Sequence, residues 1–382
     1  MNRPFKSRAV RAAISAVAGV VLAGCAAKNY SPLAGPAPAK TVSKKPESAP
    51  EIVVLPREPA PVIGLDNVDV EPPPPHLATN SISTTPPAAS FGRGWISLRA
   101  WSDHGATGSP EKIVSSGVTS YRITTRNGWG KLTLGSRLAQ WNGVAVWLGF
   151  APQLIHGEPH IQALDAEKTL QPLAEAPPAP ASSRRTVVLD PGHGGADGGT
   201  RGARNQLEKN YALDWALRTE RLLTNAGWKV FLTRRGDVDL ALAERIAFAD
   251  RVHADLFISL HFNSTFPQTQ PSGLETYCLT PVGMPSTLAR GFADDERAIF
   301  PNNAFDTANL AWAFRIHRAL VGQTHAHDDG VKRARFMSVL RYQNRPAVLV
   351  EGGFLSNARD AASIQSPAYR ETLARALAEA LK

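Results

Sequence analysis

Hydrophobic positions divide the second half of the chain into short apolar runs and longer stretches of helical spacing. Residues 186–189, 230–232, 256–260 and 347–350 are continuous apolar runs, whereas 211–226, 240–252, 310–321 and 369–381 carry helical spacing. Runs apolar on both faces and separated by helices predict an α/β fold, a mainly parallel sheet with helices on both faces. Residues 91–174 read differently. Alternation at 95–99, 121–125, 131–134 and 144–148, with turn pairs Asn127-Gly128, Gly135-Ser136, Asn142-Gly143 and His156-Gly157 between, predicts a small β-rich domain ahead of the α/β one. Residues 25–90 show little periodicity and hold 14 of the 30 prolines, which predicts a semi-extended tether. A second proline-rich break at 175–183 separates the β-rich domain from the α/β domain, 184–382.

Residues 1–24 combine a basic start with an apolar stretch, 12–22, too short to span a bilayer, and so read as an export signal. Leu22-Ala23-Gly24-Cys25 resembles the lipobox of bacterial lipoproteins. That resemblance implies acylation of Cys25 and attachment to a membrane outside the cytoplasm. With Ala26 next, it favours the outer membrane, facing the periplasm. The alternative is ordinary secretion.

Composition adds little until its distribution is considered. The net charge of +9 includes Arg3, Lys6, Arg8 and Arg11, which leave with the signal. No basic run with interleaved aromatics follows, so a nucleic-acid partner is not expected. Cys25 and Cys278 lie in different surroundings and imply no disulfide framework.

Five of the eight tryptophans, Trp95, Trp101, Trp129, Trp141 and Trp147, fall in the β-rich domain. Packing of a small core is the favoured reading; an exposed platform for sugar rings is the other. The strand 96–101, the segment 134–143 and the segment 151–161 together resemble the small domain at the N-terminus of copper amine oxidases. That domain class is not a copper site, so His104, His156 and His160 are assigned no metal. Glycan, an activating protein and no ligand stay open as its partners.

Three apolar runs end in residues able to bind or polarise: Asp190-Pro191-Gly192-His193-Gly194-Gly195, His261-Phe262-Asn263 and Glu351-Gly352-Gly353. In open α/β sheets ligands collect at the carboxyl ends of strands, so these side chains are expected to converge. Glu208, opening a helical stretch, can face the same end. Two histidines and a carboxylate suit zinc with an open position. Each residue alone also fits a turn, a hydrogen-bonded structural histidine or a helix-dipole carboxylate.

Together with Glu208-Lys209-Asn210, Thr233-Arg234, Leu242-Ala243-Glu244-Arg245, Gly273 to Tyr277 and Pro346 to Asn357, these motifs resemble the zinc-dependent N-acetylmuramoyl-L-alanine amidases of the amidase-3 family. The resemblance implies that His193, Glu208 and His261 bind Zn2+ and that Glu351 is the catalytic carboxylate. It implies hydrolysis of the amide between N-acetylmuramic acid and L-alanine in peptidoglycan by zinc-activated water. Asn263 is expected to orient His261 or to contact substrate. The alternatives are an inactive wall-binding protein, disfavoured by retention of all four residues, and a zinc peptidase acting within the stem peptide. Asp328-Asp329-Gly330-Val331-Lys332 lacks the arginine usual before the glycine. Residues 280–307 are expected to be either a lid with a short acidic helix at 291–297 that offers a carboxylate to zinc, or a solvated loop.

Overall fold

The computed structural model describes residues 94–175, 185–202, 206–288 and 294–382. The signal, the tether with Cys25 and nearly all of the 175–183 linker lie outside them.

The β-rich segment contains β1 (Trp95–Ser97), α1 (Leu98–Gly105), β2 (Glu111–Ser115), β3 (Val118–Thr125), β4 (Gly128–Thr133), β5 (Leu138–Trp141), β6 (Val144–Trp147), β7 (Gln153–Ile155) and β8 (Glu158–Gln162). It closes with α2 (Ala163–Asp165), a π-helical turn (Ala166–Leu170) and α3 (Gln171–Glu175). The strand expected at 95–99 stops early. The Ser97 side chain accepts a hydrogen bond from the Ala100 N–H and caps α1.

The α/β segment runs β9 (Thr186–Pro191), α4 (Glu208–Asn225), β10 (Lys229–Leu232), α5 (Leu242–Arg251), β11 (Leu256–Asn263), β12 (Leu274–Cys278), a 3-10 turn (Pro301–Phe305), α6 (Asp306–Thr324), β13 (Asp328–Arg333), α7 (Ser338–Arg341), β14 (Ala347–Phe354), α8 (Ala358–Gln365) and α9 (Pro367–Ala380). Strands β10, β9, β11 and β14 are parallel neighbours in that order. β12 then pairs antiparallel with β14, and β13 runs parallel to β12.

Alternation along the buried strands divides the core. Val187, Leu189, Ile258, Leu260, Val348 and Val350 pack with α4, α6 and α9, while Val188, Phe257 and Leu349 pack with α5 and α7. The expected α/β sheet covered by helices on both faces is therefore present.

The β-rich segment continues this sheet. Val146 of β6 pairs in parallel with Val331 of β13, so one eleven-stranded sheet runs from β10 to β2, and β1, β8 and β7 form a separate small sheet. Trp101, Ile123, Trp141 and Leu170 join the same buried cluster as Leu189 and Leu310. Polar contacts reinforce the seam. Arg333 donates to Thr169 Oγ1 at 2.7 Å and to the Lys168 carbonyl at 2.6 Å, and Arg137 donates to the Ser286 carbonyl at 3.2 Å.

Candidate metal centre

The sheet brings the three motif ends together. Pro191 lies beside Leu260, and His261 is the register partner of Glu351. After β9 the chain turns over His261 so closely that a Cβ on Gly192 would lie 2.1 Å from the imidazole Cε1. Only glycine fits that position without moving a candidate ligand. We expect Gly192→Ala to lower bound zinc well below one ion per chain, measured by elemental analysis, while circular dichroism stays close to wild type. An alanine that loaded zinc normally would contradict this packing.

His193 has a positive φ of 62°, uncommon for a non-glycine residue. Buried arginines hold the turn. Arg234 donates to the carbonyls of Pro191 (2.9 Å) and Gly192 (2.7 Å), and Arg245 donates to those of Pro191 (2.9 Å) and His193 (2.8 Å). Lys209 ties the next residues down through the Gly195 carbonyl and Asp237, each at 2.7 Å. The Thr233-Arg234, Leu242-Ala243-Glu244-Arg245 and Glu208-Lys209-Asn210 motifs thus act largely as supports for the loop.

Each ring is oriented from behind. His193 Nδ1 lies 2.7 Å from Asp197 Oδ2, so it carries a proton there and turns Nε2 toward Glu208, 3.1 Å away. His261 Nε2 lies 3.1 Å from Ser259 Oγ, whose hydroxyl donates to Asp190 Oδ2 at 2.7 Å, while Nδ1 faces Glu208 Oε1 at 2.8 Å. Asp190 is fixed in turn by Arg245 and Thr233. Burial pushes the Asp190 carboxyl up, but Arg245 and the hydroxyls outweigh it and hold it below its ordinary value.

Glu208, the first residue of α4, is 1% exposed. Its Oε2 accepts from the Thr200 N–H at 2.9 Å and its Oε1 from the Phe262 N–H at 3.0 Å. Burial disfavours its charge, yet hydrogen bonds from His193 and His261 hold the carboxyl well below the usual range. The same carboxylate, with Asp197, raises His193 against the opposing effect of burial. An ionised carboxylate held between two imidazoles is the form a cation requires.

One ligand atom each from His193, Glu208 and His261 lies within 4.8 Å of the others, the single such cluster of three among the described residues. Two imidazole nitrogens and a carboxylate oxygen at this spacing fit a zinc ion with bonds of about 2.0–2.2 Å and an open fourth position.

That open side meets a groove of about 570 Å3 lined by all three candidates, Glu351, Asn263, Thr287 and Leu288. Glu351 is 7% exposed on β14. The Asn263 amide donates to Glu275, 2.6 Å away, rather than to His261. Glu275 also pairs with Lys332, which contacts Asp329 at 2.8 Å. Burial, then Asp329, raises the Glu275 carboxyl, whereas Lys332 stands above its ordinary value because the two carboxylates outweigh its burial.

Of the expected acidic helix, 291–293 lie outside the described residues, and residues 295–298 form a single turn closed by the Ala298 N–H on the Asp295 carbonyl at 3.1 Å. Asp294 is held by Arg335 at 2.8 Å and by the Ser286 N–H at 2.6 Å, so its carboxylate is engaged away from the histidines. At the position before Gly330, where the arginine is missing, the Asp329 carbonyl accepts from Trp147 Nε1 at 3.0 Å and its carboxylate from Lys332 at 2.8 Å; the preceding Asp328 accepts from the Ala145 N–H at 2.8 Å and faces His317 Nε2 at 2.9 Å. Asp197, Ser259 and Asp190 were not singled out as ligand supports from sequence. Asp197, four residues after His193, offered a weak local signal; Ser259 opens the motif Ser259-Leu260-His261-Phe262-Asn263-Ser264 and shares the inward side of β11 with His261, without its task being given.

Comparison with known proteins places the α/β segment in a family. Residues 187–382 match the Amidase_3 family, described as N-acetylmuramoyl-L-alanine amidase. The chain is 29% identical over 243 residues to N-acetylmuramoyl-L-alanine amidase AmiC of Escherichia coli O6:H1, covering 57% of this chain and 58% of AmiC. It is 33% identical over 193 residues to LytC of Bacillus subtilis strain 168, covering 50% of this chain and 34% of LytC. With AmiA of Escherichia coli K12 it shares 30% identity over 217 residues, covering 51% of this chain and 74% of AmiA. The chain thus spans little more than half of AmiC and about a third of LytC. Through its α/β segment, this chain belongs to the N-acetylmuramoyl-L-alanine amidase family Amidase_3.

Proposed function

We propose that the chain is a zinc-dependent peptidoglycan hydrolase that cleaves the amide between the lactyl carbonyl of N-acetylmuramic acid and L-alanine of the stem peptide. The observation that carries the proposal is the convergence of His193, Glu208 and His261 at an open groove, with Glu351 on the adjoining strand. His193, Glu208 and His261 would hold a zinc ion that, when bound, would supply a water acidified to a pKa of about 7 and polarisation of the scissile carbonyl. Asp197 and Ser259 keep the two imidazoles aimed, and Glu208 compensates the cation's charge. Glu351 accepts the proton of the attacking water and returns it to the departing amine nitrogen, so the products are a lactyl carboxylate and a free L-alanine amine.

Leu22-Ala23-Gly24-Cys25 supports a lipid on Cys25 that holds the protein at the outer membrane, facing the periplasm. A mature N-terminal peptide starting at an acylated Cys25, identified by mass, is the expected finding; an unmodified one would remove the anchor.

Incubating the zinc-loaded full chain with purified sacculi tests the reaction. Free stem peptides beginning in L-alanine are expected. Shortened peptides still attached to muramic acid would indicate a peptidase, and binding without release would indicate a wall-binding protein.

A further inference from the structure

We propose that Trp147, carried by the β-rich segment, is a wall of the catalytic groove that binds a neutral N-acetylhexosamine ring of the glycan beside the scissile amide. The proposal rests on the amidase reading and names a saccharide subsite that spans the seam between the two segments.

Trp147 ends β6, the strand that joins β13, and its half-buried ring lines the same groove as His193, His261 and Glu351. The ring is fixed: Nε1 donates to the Asp329 carbonyl at 3.0 Å, and Lys332 Nζ stands 5.6 Å from its centroid. Gly330 allows this approach. It has φ +95°, and a Cβ there would lie 3.0 Å from Trp147 Cδ1 and 3.1 Å from the Ala145 Cβ. The other tryptophans of the segment behave differently. Trp101 and Trp141 are buried, Trp129 is covered by Arg122 at 4.8 Å, and Trp95 packs edge-on against Phe150. Core packing therefore accounts for Trp101 and Trp141, and Trp147 is the one of the five that reaches the groove.

The charge nearby selects the ligand. Glu275 and Asp329 both pair with Lys332, the one ammonium lining the groove, and Glu351 lines the same groove, so this end carries more carboxylate than cation. An acidic peptide is disfavoured there. A neutral sugar ring is suited: its C–H face packs on the indole while its hydroxyl and acetamido groups donate to carboxylates.

The test uses the zinc-loaded full chain carrying Glu351→Gln, titrated calorimetrically with the N-acetylglucosamine tetramer. Trp147→Leu and Trp147→Ala should weaken binding about tenfold, the loss of one stacked aromatic contact, and Trp147→Tyr should retain most of it. In the Glu351 background, Trp147→Leu should raise KM on soluble glycan-strand substrate by a similar factor with kcat and zinc content little changed. No binding of the tetramer by the Trp147 protein, or equal binding by the leucine variant, would overturn the subsite. Failure of the Glu351, Trp147 protein to release stem peptides from sacculi would overturn the amidase reading instead, which the tetramer titration does not depend on.

Discussion

Glu351→Gln should lower turnover of sacculi by about 10²–10⁴-fold while the protein still binds one zinc per chain. The substitution keeps the shape and most of the polarity of a side chain that is 7% exposed, so the fold loses little. What disappears is the ability to accept a proton from water and pass it to the amine. Glu351 is beside His261 in register but outside the three-residue ligand cluster. Elemental analysis together with the rate separates the two roles. Loss of zinc in this variant would mean that Glu351 is a ligand rather than a base.

His193→Ala should show the converse, with zinc lost on dialysis and hydrolysis reduced to background. Removing one of three protein ligands leaves Glu208 and His261 unable to close a tetrahedral site. The turn should survive, because Arg234 and Arg245 hold its carbonyls and not its imidazole. A folded, metal-free protein is therefore expected, identified by unchanged circular dichroism. Asp197→Ala should be milder, weakening metal affinity about 10–100-fold, since Asp197 only orients the ring. Full activity in His193→Ala would remove the metal centre from the account.

The parallel strands and the ends of β9, β11 and β14 were legible because a strand buried on both faces must be apolar along its length. The polar residue that follows it then stands out. His193, His261 and Glu351 were marked in this way, and Glu208 by its place at the start of α4. Three features were not legible. Partner choice is not written in local pattern, so neither the antiparallel pairing of β12 nor the joining of β6 to β13 could be read from alternation. The stop in β1 depends on whether Ser97 caps a helix or continues a strand, and both patterns fit its neighbours. The support of the loop by Arg234 and Arg245, and of His261 through Ser259 and Asp190, is long-range. Motif resemblance pointed to the two arginines without giving their task, which is to hold carbonyls in a turn where His193 has positive φ.

The seam has a functional reading for the same reason. Asp329 stands where an arginine was expected, and it and its neighbours Asp328 and Gly330 all approach β6. The departure from the family pattern coincides with the strand that receives the β-rich segment.

The central claim, that water cleaves the muramoyl amide in this groove, is tested most directly by running the zinc-loaded protein on sacculi in water enriched in oxygen-18. One heavy oxygen should appear in the lactyl carboxylate of muramic acid, and none in the released peptide. Heavy oxygen in a peptide carboxylate instead, with the lactyl amide intact, would contradict it.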